Sequence, residues 1–369
     1  MNTQLRATGE TSEHVDFVRR TLLMLPIITG LPTPIAGQTM AATPSNLAGR
    51  ALPPRTLPVP DTVSAALHAV IAAPYPVGWD VIPQTAAQWN ALASQSAAAA
   101  APFIAEIYRR FDIRVEKGRI GDVNVFAITP AEIPAANRNC LLLHLHGGGS
   151  VLYPGEAGAG EGMLMAGFGR YKVISVDYRM GPDFPFPAPL DDATAVWRAL
   201  IHDHDPRSMA IFRSSSGGGL TLALMLRAKA EGLPLPAAIA PGTPWVDLTG
   251  AGDSIMANAF VDNVLVASTG WAGAAASLYA AGHDLRNPLI SPIFGDFSGL
   301  PPAILTSGTR DLFLSHTVRT HRKLRQAGID ARLQVFEGQS HAQYLDPFVP
   351  ETEEAFSEIA RFFATYLKS

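Results

Sequence analysis

"MAIFRSSSGGGLTLALML", Met209 to Leu226, joins an apolar run of strand length to one of helical length through three serines and three glycines. Glycine permits close backbone approach and left-handed dihedrals, and a serine held at such a bend can be exposed as a nucleophile. A flexible Gly/Ser linker is the alternative, but linkers are seldom flanked on both sides by apolar runs of the buried type. The same alternation extends in both directions. "CLLLHL", "YKVISVDY", "AAIA", "PAILTS" and "ARLQVFEG" read as further strands, and "DDATAVWRALI", "LTLALMLRAKAEG" and "TVRTHRKLRQAG" as helices between some of them. Alternating strand and helix predicts an α/β fold, a mostly parallel sheet covered by helices on both faces.

Function in such sheets collects just beyond the carboxyl ends of the strands. After "CLLLHL" come His146, Gly147, Gly148 and Gly149; after "MAIF", Arg213 and the serines; after "PAILTS", Gly308 to Asp311; after "ARLQVFEG", Gln339, Ser340 and His341. Glycines leave backbone amides unshielded, as an oxyanion needs during acyl transfer. A serine, an acid and a histidine therefore follow successive strands in that order.

Those stretches resemble the hormone-sensitive-lipase-like branch of the α/β-hydrolase esterases. The resemblance rests on "HGGG" (His146 to Gly149), "DYRMGPDFPFPAPLDD" (Asp177 to Asp192), "SSSGGGLTLA" (Ser214 to Ala223), "TPWVDLT" (Thr243 to Thr249), "GTRDLFLS" (Gly308 to Ser315) and "FEGQSHAQY" (Phe336 to Tyr344). It covers roughly residues 110 to 368 and, within the branch, is nearest to bacterial esterases grouped with monoterpene lactone hydrolases. It implies Ser215 as nucleophile, His341 as general base and Asp311 as the group orienting His341. The amides of Gly148, Gly149 and Ser216 would hold the oxyanion, without metal or organic cofactor. The substrate implied is a small or medium ester, with a lactone as the neighbouring alternative. A receptor-like binding protein on a disabled hydrolase, as the plant gibberellin receptors resemble, is the alternative from another class.

Several residues carry competing readings. Ser216 rivals Ser215, and Asp247 rivals Asp311, although its motif is usually structural in the family. His144 and His146 are two apart, like a metal pair, but glycines stand where further ligands would be wanted; His146 is expected to brace the oxyanion loop. Asp177 and Arg179 are read as structural partners beneath it. Ser150 replaces a bulky residue after the glycines and is expected to leave room on the acyl side. Arg213 stands where Gly-x-Ser-x-Gly has its first glycine, so it is expected to shift the turn or to escape toward an acidic partner. Either way it is expected to weaken catalysis, and Arg213→Gly to raise it.

The 369 residues are 47% hydrophobic and 16% charged, with net charge −4, which describes a globular chain and argues against a nucleic-acid partner. A single cysteine, Cys140, excludes an intramolecular disulfide framework. "VRRTLLMLPIITGLPTPIAGQTMAA" begins with Arg19 and Arg20 and ends in small residues, like a twin-arginine export signal cleaved after Ala41. The expected organisation is an export signal at 1–41, an extended segment and helical cap at 42–110, and a catalytic domain at 111–369. Trp79, Trp89, Phe103 and Tyr108 are candidates for lining that cap. A periplasmic or secreted location follows, with a cytoplasmic one as the alternative, no membrane anchor after processing, and a homodimer allowed.

Overall fold

The computed structural model describes residues 49–368, and the export segment expected at 1–41 lies outside them. Residues 56–368 belong to one compact unit, whose elements all fall after residue 64.

An N-terminal helical pair opens it. Helix α1 (Ala65–Ile71) starts at Ser64, whose hydroxyl accepts the Leu67 amide, and α2 (Ala86–Arg110) starts at a Thr85/Gln88 capping box. Such caps satisfy amides that the first helical turn leaves without partners. Strands β1 (Ile113–Ile120) and β2 (Val123–Pro130) form an antiparallel hairpin around Gly121 and Asp122.

The remaining strands are β3 (Leu141–Leu145), β4 (Lys172–Asp177), β5 (Met209–Ser214), β6 (Ala238–Gly242), β7 (Ala303–Gly308) and β8 (Ala331–Phe336). They form one sheet in the order β1-β2-β4-β3-β5-β6-β7-β8, with β2 antiparallel to its neighbours and the rest parallel. Strands β3, β5, β6 and β7 are buried along their whole length, which explains their uninterrupted apolar runs.

Helix α3 (Gly160–Gly169) packs against α9 (Pro350–Tyr366) on one face. On the other, α4 (Ala188–Asp203) packs against α5 (Ser216–Ala230), and α8 (Leu314–Gln326) follows β7. Trp197 and Leu222 fill the core beneath one layer, and Phe356, Phe362 and Phe363 the core beneath the other. Between β6 and β7 the chain leaves the sheet to form α6 (Asp253–Ala257) and α7 (Trp271–Ala280). No described helix is long and apolar enough to cross a membrane.

Helix α5 lies so close to β3 and β5 that a Cβ at Gly217 would overlap the Leu145 carbonyl oxygen and Arg213 Cγ. Both neighbours are fixed, one as backbone and the other as the root of a buried side chain. Gly217→Ala is therefore expected to lower unfolding stability by about 1–3 kcal/mol, the usual cost of overpacking. Urea denaturation measures this, and an unchanged midpoint would show that the helix can move away from the sheet.

Candidate active site

Ser215 sits at the corner between β5 and α5 with φ 62° and ψ −133°. A non-glycine residue adopts such dihedrals only where its surroundings enforce them. Here the Ser215 amide donates to Gly242 O at 2.9 Å, and its carbonyl accepts from the Trp245 amide at 2.9 Å. Ser216, by contrast, is the first residue of α5, and its hydroxyl is buried without a hydrogen-bond partner among the described residues. Of the two rival serines, only Ser215 occupies the strained turn.

The glycine loop after β3 curls over this corner, with φ 95° at Gly148 and 64° at Gly149. Both values suit glycine and disfavour other residues. Among the described residues, the amides of Gly148, Gly149 and Ser216 have no hydrogen-bond acceptor. The loop is braced from behind: His146 Nδ1 donates to Gly147 O at 3.0 Å, and its ring stacks on Tyr178 with centroids 4.1 Å apart. The Tyr178 hydroxyl in turn donates to His146 O. Asp177 accepts the Gly155 amide at 3.0 Å, while Arg179 pairs with Asp192 at 2.7 Å, so the two serve the loop region separately.

His341 Nδ1 lies 3.0 Å from Asp311 Oδ1 and 2.7 Å from Thr243 Oγ1. Asp311 is fully buried and is itself oriented by the Ser307 hydroxyl at 2.6 Å and the Phe313 amide at 2.8 Å. With Nδ1 engaged, Nε2 is the ring nitrogen left for proton transfer. Ser215 Oγ is not hydrogen-bonded to the ring in this structure; the two are neighbours through Gly242 and Thr243. Asp247, the rival acid, accepts from Thr249 and pairs with Arg319 at 2.8 Å, away from His341.

Arg213 has the acidic partner that the sequence left unidentified. Its Nη1 donates to Glu161 Oε2 at 2.7 Å and to His144 Nε2 at 3.1 Å, and its Nε donates to Ser214 O at 2.9 Å. The Ser214 hydroxyl completes the carboxylate shell at 2.8 Å and accepts from Tyr344. Burial opposes the charge of Glu161, but the adjacent guanidinium and the Ser214 hydroxyl outweigh it and hold the carboxyl below its ordinary range. His144 spends its other nitrogen on Ser175 at 2.8 Å. His146 Nε2 is buried without a hydrogen-bond partner, and no cluster of His, Cys, Asp or Glu among the described residues is suited to hold a metal ion.

Two cavities flank Trp245. The smaller, about 20 Å³, is lined by Gly149, Ser150, Ser216, Leu220 and Tyr279. Ser150 is thus part of the lining of the smaller cavity, beside Gly149. The larger, about 180 Å³, lies between Trp245, Leu248, Ile255, Phe313 and the α7 residues Ala272 and Ala276. None of the four N-terminal aromatics lines either cavity: Trp89 packs into the cluster around Trp245, and Phe103 and Tyr108 are exposed. The wall comes instead from α7, an alanine-rich segment whose sequence gives no sign of a site.

Comparison with known proteins agrees with the fold. Residues 142–345 match the model of an alpha/beta hydrolase fold family. An esterase of Acinetobacter venetianus is 29% identical over 251 residues, covering 66% of this chain and 81% of its own. A putative acetyl-hydrolase, LipR, of Mycobacterium tuberculosis is 30% identical, covering 67% and 79%. Among solved structures, esterase E25 superposes with TM-score 0.83 at 39% identity, covering 87% of this chain and 99% of that one. An esterase from the bacterial hormone-sensitive lipase family superposes with TM-score 0.66 at 27% identity, covering 78% and 100%.

The ion pair reverses the expected outcome of Arg213→Gly. Removing the guanidinium strands Glu161 as a buried, uncompensated charge, at a cost of about 3–5 kcal/mol. Urea denaturation is expected to show that loss, with Glu161→Gln in the same background restoring part of it. A stable and more active Arg213→Gly protein would return Arg213 to the role of an impairing substitution.

A second outcome concerns pH. Burial, foremost, pushes His144 and His316 down to about 4 and His146 to about 3. In the unfolded chain each takes up its proton near 6.5, so their contribution is complete above about pH 6.5 and is lost as pH falls toward 4. His316→Gln is expected to lose less stability than the native chain between pH 7 and 5, and an equal loss would overturn the assignment.

Proposed function

The chain belongs to the α/β-hydrolase family, in its hormone-sensitive-lipase-like esterase branch, and on that premise we propose that it hydrolyses small or medium carboxylic esters through an acyl-enzyme on Ser215. The observation that carries this reading is the convergence of three unpartnered amides on a strained serine beside a His341–Asp311 pair.

In this reaction Ser215 Oγ attacks the ester carbonyl carbon while His341 Nε2 takes its proton. The carbonyl oxygen becomes an oxyanion, accepting hydrogen bonds from Gly148, Gly149 and Ser216. Asp311 stabilises the imidazolium, which then protonates the departing alcohol oxygen. Water, deprotonated by the same ring, releases the acid and restores Ser215. The missing serine-to-histidine hydrogen bond forms as substrate enters, since such contacts commonly tighten only in the reactive complex.

The larger cavity suits an apolar group of a few carbons, because its walls are mainly Trp245, Leu248, Ile255 and Phe313. Lactones, in which alcohol and acid remain tethered, pass through the same steps and belong in the same assays.

With p-nitrophenyl acetate, butyrate and octanoate as substrates, Ser215→Ala is expected to lower kcat by at least about 10³-fold, and Ser216→Ala by less than about tenfold. Asp311→Asn should cost about 10²-fold or more, whereas Asp247→Asn should lower stability and leave the turnover of folded molecules nearly unchanged. Loss of activity only with Ser216→Ala would move the nucleophile by one residue. Tight ligand binding without turnover by the native chain would favour a receptor-like role. Ala276→Trp, which fills the larger cavity, should depress octanoate hydrolysis more than acetate hydrolysis.

A further inference from the structure

Asp262 is a second fully buried carboxylate beside the proposed triad, and no sequence motif marks it. It lies in the loop between α6 and α7. Its Oδ1 accepts the amides of Val264 at 2.7 Å and Leu265 at 3.0 Å. Its Oδ2 accepts the amide of Leu312 at 2.8 Å and that of His341 itself at 3.2 Å. One carboxylate thus joins three chain segments: its own loop, the residue following Asp311, and the backbone of the general base.

Neighbouring residues repeat the connection. Asn258 Nδ2 donates to Asp311 O at 2.8 Å, the Asn263 amide donates to Ser340 Oγ at 3.0 Å, and Gln343 Nε2 donates to Asn263 Oδ1 at 2.8 Å. The loops carrying Asp311 and His341 therefore meet on a common support supplied by the excursion between β6 and β7.

We propose that ionised Asp262 is a positioning residue for ester hydrolysis, holding His341 and Asp311 through their backbone and placing a second negative charge near the imidazolium. This rests on the assignment of Ser215, His341 and Asp311 above. Asp262 does not touch the reacting atoms; it acts through the two loops. The titratable groups that face it are Asp311 and His341. Burial and then Asp311 push its carboxyl above the ordinary aspartate range, while His341 and the Leu312 and Val264 amides pull it back. Its ionised form is the one that suits four amide donors, because protonation would set an O–H against N–H groups.

Asp262→Asn keeps the shape of the side chain but turns an NH₂ group toward the Leu312 and His341 amides. In the full chain, kcat for p-nitrophenyl butyrate is expected to fall about 30-fold or more while KM stays within about threefold. The acid limb of kcat/KM against pH should move down by at least about half a unit, because a negative charge near the imidazolium has gone. Asp262→Glu, which keeps the charge, should leave that limb within about 0.2 unit of the native position while lowering kcat. Melting curves and circular dichroism establish that each variant is folded. A folded Asp262→Asn protein with kcat within threefold of native, or with an unmoved acid limb, overturns the proposal. If the Asn and Glu variants both fail to fold, Asp262 belongs to fold maintenance alone, and the proposal falls as well. Ser215→Ala is assayed alongside: if it retains native activity, the triad assignment has failed, whereas its inactivity beside an unaffected Asp262→Asn removes this inference only.

Discussion

The sharp reversal of the chain at Ser215 is the constraint around which the molecule is arranged. A strand must end, turn through a strained residue and start a helix without the helix lifting from the sheet. The turn is held by backbone hydrogen bonds to Gly242 and Trp245, so β6 and the segment after it act as a clamp. Close approach at Gly217, against the Leu145 carbonyl, keeps the α5 N-terminus beside the glycine loop. Gly149 and Ser216 then line one small cavity. Strain at one residue is sustained by the packing of many, as functional strain generally is.

Beneath that corner lies a polar foundation where an apolar one would be simpler. Glu161 from α3, Arg213 and Ser214 from β5, His144 from β3 and Tyr344 from the histidine loop form one buried network. Its geometry engages Nε and Nη1 of the guanidinium and both carboxylate oxygens, the kind of pairing that lets a buried ion pair be tolerated. The long side chain at position 213 therefore has a place prepared for it by an acid more than fifty residues away. Through Ser214 and Tyr344 the network also reaches the loop that carries His341, so the segments bearing Ser215 and His341 share a support.

A second support closes over the outer side. The excursion between β6 and β7 supplies the α7 wall of the larger cavity, and its loop ties the acid and histidine segments together through Asp262, Asn258 and Asn263. One insertion thus supplies a cavity wall and the ties between the segments that carry Asp311 and His341.

Sequence alone determined the strand and helix alternation, because buried parallel strands need uninterrupted apolar runs and turns need glycine. It also determined which residues follow those strands, and hence the candidates Ser215, Asp311 and His341. Between the adjacent serines only the resemblance favoured Ser215, with Ser216 as its rival, since the two differ in backbone dihedrals and not in chemistry. Long-range partners were equally illegible: Glu161 lies in a glycine-rich stretch whose pattern carries no trace of Arg213, and Asp262 reads as an ordinary loop aspartate. The N-terminal aromatics named as cap candidates line neither cavity, because apolar character predicts burial but not what is buried against what. Alanines of α7 line the cavity through their position in the fold, which only the tertiary structure decides: small side chains let a pocket remain where larger ones would fill it.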